Sequence, residues 1–175
     1  MHTFIEAIKS RRSIRNFKPD MIGQDKLDQI VEAGLYAASG RNEQATKIIV
    51  IKNKELRNKM STTVAKIKDK PGDFDPFYGA PVVLVVLTDK NVFTGIYDGS
   101  LVMGNMMLAA HALGLGSCWI HYAREEFEMP EYQELLESLG IDDNWIGVGH
   151  CVLGYIDGSM PKPLPRKENR VYYID

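Results

Sequence analysis

The sequence predicts one domain of mixed α and β structure built on a single sheet. Segments with helical periodicity alternate along the chain with short apolar runs that are typical of strands. The chain has 175 residues, of which 45% are hydrophobic, and it contains neither an internal repeat nor a low-complexity stretch. A chain of this length can bury one substantial core. We therefore expect residues 1–175 to form a single domain.

The most apolar stretch runs from Asp98 to Tyr122 and joins a helix candidate to a strand candidate. Between Leu101 and Leu113 apolar residues fall on every helical face, which predicts a helix buried on all sides, either in the core or at a subunit interface. The run is interrupted by polar residues and is shorter than the roughly 20 residues that a bilayer requires. Glycines end this helix, and Ser117 to Ile120 is predicted to be a buried strand.

Periodicity and capping signals place the remaining elements. Helices are predicted from an N-cap at Thr3 to about Ser10, over Gln24–Ala37, over Lys54–Lys68, and around Tyr132–Leu139. Strands are predicted over Lys47–Ile51, Val82–Leu87 and Ile146–Leu153, and Val171–Ile174 is strand-like. The proline-rich segment Met160–Lys167 is expected to run extended over a surface, as tails that reach a partner subunit often do.

Charge is concentrated at the two ends of the chain. Residues 1–18 carry five basic and one acidic side chain, and residues 162–175 carry four basic and two acidic ones. The intervening residues 19–161 have a net charge of −8, which argues against a broad nucleic-acid surface and favours a small anionic ligand. Alternatively, the terminal charges form solvated tails.

Cysteine usage and the N-terminus indicate an intracellular protein. Cys118 and Cys151 both lie in apolar runs, so two buried thiols are expected rather than a disulfide. No apolar leader follows the first residues, and we expect a cytoplasmic protein without a membrane partner.

The segment Arg11–Phe17 is a candidate anion site. In extended backbone, alternation directs Arg11, Ser13 and Arg15 to one side and Arg12 to the other. Guanidinium groups offer several donors in a fixed fork and remain charged, which suits a phosphate or a carbonyl-rich ring.

Two loops leave alternatives open. Residues 38–44 are almost all able to hydrogen-bond, as expected of either a surface connection or the edge of a polar ligand site. Residues 71–81 contain Phe74, Phe77 and Tyr78, which either pack into the core or line a pocket.

Several common chemistries lack support in the sequence. The four histidines, His2, His111, His121 and His150, have no metal-ligand spacing and suggest no catalytic triad, so neither a metal nor a nucleophile is predicted. The Gly-x-Gly at Gly114 and Gly116 leads from a helix into a strand, whereas a dinucleotide-binding loop leads from a strand into a helix.

Five segments, taken in order, resemble the nitroreductase family of flavoproteins. They are Arg11–Phe17, the pattern Ser39-x-x-Asn42-x-Gln44, Ala80–Val86, Gly114–Ile120 and the basic, proline-rich tail. The resemblance implies an α+β fold with a central, mainly antiparallel sheet flanked by helices, in an intertwined homodimer. It also implies FMN at each of two interface sites and NADH or NADPH as electron donor.

The resemblance also assigns roles to individual positions. Arg11, Arg12, Ser13 and Arg15 would hold the FMN phosphate, the ribityl chain and the N1/O2 edge of the ring, with Arg166 and Lys167 at the phosphate. Ser39, Asn42 and Gln44 would reach the flavin from the other subunit, and the backbone at Ile120 and His121 would face the ring near N5. No side chain is expected to be essential for catalysis, although Arg15 would tune the flavin.

The implied function is reduction of nitroaromatics, quinones or similar small acceptors by NAD(P)H in a ping-pong mechanism. His121 is either a substrate contact or a packing or solvent-facing side chain. Ala38 and Ala45-Thr46 stand where the family commonly has Pro and Pro-Trp, which bears on the shape of the substrate pocket. The alternatives are a flavin-binding or flavin-handling protein without reductase turnover, and a phosphate- or nucleic-acid-binding module.

Overall fold

A computed structural model describes residues 4–175, so the predicted N-cap at Thr3 lies outside the described residues. The helices are α1 (Phe4–Ser10), α2 (Gln24–Leu35), α3 (Lys54–Ile67), α4 (Gly95–Ala112), α5 (Ala123–Phe127) and α6 (Pro130–Ser138). The strands are β1 (Thr46–Ile51), β2 (Val82–Asp89), β3 (Gly116–Ile120) and β4 (Trp145–Gly154). A short 3₁₀ turn covers Gly40–Asn42.

The four strands form one antiparallel sheet in the order β1-β2-β4-β3. At one end of the sheet Ile120 of β3 pairs with His150 of β4. The N-terminal segment adds an isolated parallel bridge from Ser13 to Ser117, which places the arginine-rich segment along the free edge of β3. The predicted α+β fold with a mainly antiparallel sheet is confirmed.

The central strand β2 explains why the core has two halves. Its residues alternate between the two faces of the sheet, as the twofold repeat of a strand requires. Val83, Val85 and Leu87 join the core beneath α3, α5 and α6, whereas Val82, Leu84 and Val86 join the core beneath α2 and α4. Burial on both faces accounts for the uninterrupted apolar run that marked this strand in the sequence.

Helix α4 is longer than predicted and is not buried on all sides. Val102, Met103 and Met106 pack into the core, but Tyr97 and Leu101 on another face are exposed. The sheet and α2 cover only part of the helix circumference, so one apolar face lies uncovered in the single chain. The predicted burial is therefore wrong for a lone subunit, while the alternative of a subunit interface remains a prediction.

The C-terminal segment leaves one expectation a prediction and corrects another. Residues 157–175 are all exposed, so a path over the surface of a partner subunit stays a prediction. Residues 171–174, predicted to be strand-like, form no strand because no strand within residues 4–175 lies beside them. Their Val, Tyr, Tyr and Ile side chains are accordingly exposed.

The sequence missed α5, a five-residue helix that is too short to show a periodic pattern. None of the helices in residues 4–175 has the length and apolarity that a bilayer crossing demands.

Candidate flavin site

The arginine-rich segment is fixed along β3 and the end of β4 by backbone hydrogen bonds. Ile14 N donates to Ser117 O at 2.9 Å, and Lys18 N donates to Tyr155 O at 2.9 Å. Ile14 is buried and packs against Gly116, where a Cβ atom would lie 3.0 Å from the Ile14 side chain. The glycine therefore permits the close approach that places Ser13 beside Ser117.

The buried thiol of Cys118 shows which side chains converge at this edge. Burial raises its pKa, and the groups that oppose this effect are, in decreasing order, Arg15, Ser13, Arg11 and Lys68. Arg11, Ser13 and Arg15 therefore all lie close enough to Cys118 to influence its thiol. Both cysteines are buried free thiols, which confirms that prediction.

Arg12 is oriented differently from its neighbours. Its Nη1 donates to the carbonyl oxygens of Lys9 and Arg11, both at 2.7 Å, and so closes the end of α1. One of its donors is consequently committed to the protein backbone. A role for Arg12 in ligand binding stays a prediction.

Buried polar atoms without partners occur on the N-terminal segment and on β3 beside it. Within residues 4–175, Arg11 Nη1, Arg12 Nε and Ser117 Oγ are buried and make no hydrogen bond. Buried donors are normally satisfied, and an unpartnered guanidinium nitrogen is costly. An anionic ligand with several acceptor oxygens would satisfy such donors. The donor set therefore fits a phosphate-bearing cofactor.

The exit of β3 is the second region that the sequence assigns to the site. Ile120 is buried, His121 is exposed, and Tyr122 adopts φ 76°, the left-handed region that favours glycine. The His121 and Tyr122 rings lie 5.5 Å apart, edge to face. A strained backbone directly after a strand end is a feature of ligand-contacting turns.

The polar loop between α2 and β1 is also strained. Arg41, Asn42 and Gln44 all have φ between 50° and 57°. Gln44 N donates to Ser39 Oγ at 3.1 Å, and Gln44 Nε2 donates to Asn42 Oδ1 at 3.1 Å, so the three predicted residues form one cluster. The buried Asp98 of α4 anchors this loop by accepting from Gly40 N at 3.0 Å.

The tail residues are not gathered into this region within one chain. Arg166 and Lys167 lie on the exposed segment, and Arg166 Nη2 donates to the carbonyl of its own neighbour Leu164 at 2.7 Å. The second basic cluster is thus available to another molecule. Its predicted position at the phosphate remains untested.

The three aromatic residues of the loop 71–81 were predicted either to pack into the core or to line a pocket, and they differ in burial. Phe77 is fully buried, and its ring packs 5.2 Å from the imidazole of His150. Phe74 and Tyr78 are only partly buried and meet edge to face at 6.5 Å. Packing is confirmed for Phe77.

Sequence reasoning missed Lys68, which ends α3 and lies near Cys118 together with the arginines. Its ammonium group lies 5.4 Å from the Phe74 ring and 5.9 Å from the Tyr122 ring. The sequence pattern places Lys68 only at the end of an amphipathic helix. No periodic or motif signal distinguishes a helix-terminal lysine that faces a site from one in solvent.

The fold and this region together define a class: an α+β domain whose basic N-terminal segment lies along the edge of its sheet and carries donors that suit an anionic ligand. Comparison with known proteins agrees, because the model of the family described as "Nitroreductase family" matches residues 8–155. The chain belongs to the nitroreductase family.

Relatives extend the match over the whole chain. A protein of Archaeoglobus fulgidus, provisionally named NADH dehydrogenase/NAD(P)H nitroreductase, is 32% identical over 100% of this chain and 92% of its own length. The protein of Bacillus subtilis named FMN reductase [NAD(P)H] is 28% identical over 95% of this chain and 72% of its own.

Solved structures give the same result. A nitroreductase with bound FMN from Bacteroides fragilis superposes with a TM-score of 0.88 at 29% identity, covering 100% of both chains. A nitroreductase with bound FMN from Desulfitobacterium hafniense superposes with a TM-score of 0.86 at 28% identity, again covering 100% of both chains.

Proposed function

We propose that the protein is an FMN-dependent oxidoreductase that takes electrons from NADH or NADPH and passes them to small acceptors such as nitroaromatics, quinones or free flavin. The single observation that carries this proposal is the group of buried, unpartnered donors on Arg11, Arg12 and Ser117 at the edge of β3. The FMN-bound relatives and the relative named FMN reductase support the choice of cofactor and donor.

Cofactor binding is assigned to two sets of residues. In one subunit, Arg11, Arg12, Ser13 and Arg15 hold the phosphate, the ribityl chain and the N1/O2 edge, with Lys68 as an additional nearby cation. Arg166 and Lys167 of the exposed tail complete the phosphate site. The whole chain forms one FMN-binding domain, and the charge of the terminal clusters matches a dianionic phosphate.

A homodimer completes each site. The uncovered apolar face of α4 and the exposed residues 171–174 both require a partner surface, and a second copy of the chain can provide it. Ser39, Asn42 and Gln44 then reach the flavin of the other subunit. Their strained loop is held rigidly by Asp98, which suits a binding role.

The redox chemistry belongs to the cofactor: FMN, when bound, would accept a hydride from NAD(P)H and pass electrons to the acceptor. The protein binds, orients and excludes water. Arg15 places a fixed positive charge at the edge of the site, where it stabilises negative charge more after reduction than before. Backbone at Ile120 and His121 lines the ring, and the exposed His121 side chain contacts the acceptor. No side chain has to donate an essential proton.

The direct test is to reconstitute the protein with FMN, remove unbound flavin, and follow the visible absorption after anaerobic addition of NADH or NADPH. A stoichiometric flavin spectrum that bleaches, and recovers when a nitroaromatic, quinone or free flavin is added, is expected. Protein that binds FMN but does not bleach would instead be a flavin-handling protein without reductase turnover. Protein that retains no FMN would contradict the proposal entirely.

A further inference from the structure

A buried pair of ionisable side chains lies directly behind the exit of β3. Glu126 of α5 and His150 of β4 are both 0% exposed, and His150 Nε2 lies 2.6 Å from Glu126 Oε2. The other ring nitrogen, Nδ1, lies 3.3 Å from the carbonyl oxygen of Ile120. The pair therefore connects a strand, a helix and the backbone that the proposed function places against the flavin.

The geometry defines where protons must lie. A carbonyl oxygen can only accept, so the contact with Ile120 requires a proton on His150 Nδ1. The short contact between Nε2 and Oε2 then requires one further proton between these two atoms, because two lone pairs would repel. The pair is consequently neutral as a whole, either as imidazolium and carboxylate or as imidazole and carboxylic acid.

The surroundings of the second carboxyl oxygen do not alter this requirement at Nδ1. Glu126 Oε1 is buried and makes no hydrogen bond within the described chain, while burial and the nearby Glu126 carboxyl group both raise the pKa of the Tyr132 hydroxyl. In both forms of the pair His150 keeps a proton on Nδ1, so the donor that faces the Ile120 carbonyl is present in either case.

The surrounding contacts make this region rigid. Glu126 N donates to Tyr122 O at 3.0 Å, so the helix that carries Glu126 begins at the strained residue after the strand exit. Gly147 of β4 leaves no space there, because a Cβ atom would lie 2.2 Å from Ala123 O. Residues 120–126 are therefore held against β4 at Gly147 and, through His150, at Ile120.

We propose that Glu126 and His150 act as positioning residues that fix the Ile120 carbonyl, and with it the backbone at residues 120–122, against the flavin ring. This inference rests on the proposed function, since it takes its purpose from FMN at the strand exit. A pair that served only stability could be replaced by apolar side chains without effect on the flavin. A positioning pair could not, because apolar replacements would remove the side-chain donor Nδ1 that lies 3.3 Å from this carbonyl.

Two variants separate these roles. In Glu126→Gln the amide can donate to His150 Nε2, which leaves the proton on Nδ1. The double variant Glu126→Leu, His150→Phe fills the same space without a donor. We expect Glu126→Gln to keep the rate of flavin reduction at saturating NAD(P)H within about twofold of wild type. The midpoint potential of its bound FMN should equal the wild-type value within error. The double variant should bind FMN normally, but reduce it about tenfold more slowly and with a shifted potential.

Leu136→Ala is the matched control, because Leu136 lies buried in the same half of the core but on α6. It should lower stability while leaving the flavin potential unchanged. A double variant with wild-type rate and potential would overturn the inference, as would a potential shift of equal size in Leu136→Ala.

A measurement on the wild type covers the case in which the double variant does not fold. In ¹⁵N-histidine NMR spectra of the FMN-loaded protein, His150 should show a protonated, hydrogen-bonded Nδ1. An unprotonated Nδ1 would exclude the donor role. Failure of the proposed function is recognised separately, because the wild type would then not bind FMN or would not be reduced by NAD(P)H.

Discussion

Arg57 and Asp75 form a partly buried ion pair, with 2.5 Å between Nη2 and Oδ2, that connects α3 to the loop before β2. The same carboxylate accepts from Ser61 Oγ at 2.5 Å, Phe77 N at 2.8 Å and Gly79 N at 2.7 Å. Arg57 Nε in turn donates to Ala80 O at 3.0 Å. This network determines the position of Phe77, whose ring covers His150.

The first prediction concerns the pH dependence of this network. Burial alone would raise the pKa of Asp75, but hydrogen bonds from Arg57, Ser61 and Gly79 outweigh it and lower the pKa below its ordinary value of 3.8. A carboxylate with a lowered pKa stabilises the fold above its unfolded-state pKa and loses this contribution as the pH falls. Asp75→Asn should therefore reduce the free energy of unfolding by about 2 kcal/mol at pH 7, and the difference should shrink below about pH 4.

Urea denaturation of both proteins across this pH range measures the effect. Glu128→Gln is the control, because it removes the exposed pair between Arg124 and Glu128, with 3.1 Å between Nε and Oε1. Exposed pairs contribute little, so a change of no more than about 0.5 kcal/mol is expected there. An Asp75→Asn deficit that stayed constant with pH would show that the charge of the carboxylate is irrelevant.

The second prediction tests the uncovered face of α4 as the subunit interface. Leu101 is 50% exposed on this helix, and Leu139, next to α6, is 52% exposed on another side of the fold. Leu101→Glu should weaken dimerisation about 100-fold or more, because it buries a charge at the interface, whereas Leu139→Glu should not. Sedimentation velocity over a dilution series provides the measurement.

Loss of FMN should accompany loss of the dimer, since Ser39, Asn42 and Gln44 are proposed to serve the partner's site. A Leu101→Glu protein that remains dimeric would move the interface elsewhere. A folded monomer that retains FMN at wild-type affinity would show that each site is complete within one chain.

Features that depend on residues close together in the sequence were predictable, and features that depend on contacts between distant segments were not. The β2 run Val82–Leu87 and the order of the helices were predictable because apolar periodicity is local. Strand alternation predicted that Arg11, Ser13 and Arg15 share one side of the N-terminal segment, and all three lie near enough to Cys118 to influence its thiol. The contacts of Lys68, Glu126 and His150 were not predictable, since they join elements that are distant along the chain. The sequence alone does not distinguish a buried histidine or glutamate from an exposed one.

The C-terminal residues 171–174 illustrate a second limit. Their β-branched and aromatic composition favours a strand, but a strand exists only where another strand pairs with it. The described part of the chain provides no such neighbour, and the segment lies exposed. The composition of residues 171–174 favours a strand, but these residues can form one only if another strand pairs with them.

The third prediction concerns cofactor affinity. The buried Nη1 of Arg11 has no hydrogen-bond partner among residues 4–175, so it is expected to gain a charge-assisted hydrogen bond when the phosphate binds. Arg11→Ala should weaken FMN binding by roughly 10- to 100-fold, which corresponds to about 1.5–3 kcal/mol. Stability without FMN should not fall, because the variant removes an unsatisfied buried donor. Quenching of flavin fluorescence on titration measures the affinity.

Arg124→Ala serves as the control for charge, because Arg124 lies exposed on α5 and pairs only with its helix neighbour Glu128 among the described residues. Its FMN affinity should remain within about twofold of wild type, as screening makes distant surface charges weak. Equal losses in both variants would mean that overall charge, and not the contact at Arg11, determines binding.

The last prediction assigns different roles to Arg15 and His121. A reduced flavin carries negative charge near N1 and O2, so a fixed guanidinium stabilises the product of hydride transfer more than the oxidised form. Arg15→Ala, fully loaded with FMN, should therefore be reduced on the order of a hundredfold more slowly and should show a lower flavin potential. His121 is exposed at the strand exit, so His121→Ala should change mainly the preference among acceptors. Anaerobic stopped-flow with NADH and NADPH distinguishes the two, since a wild-type rate in Arg15→Ala or a collapse in His121→Ala would reverse the assignment.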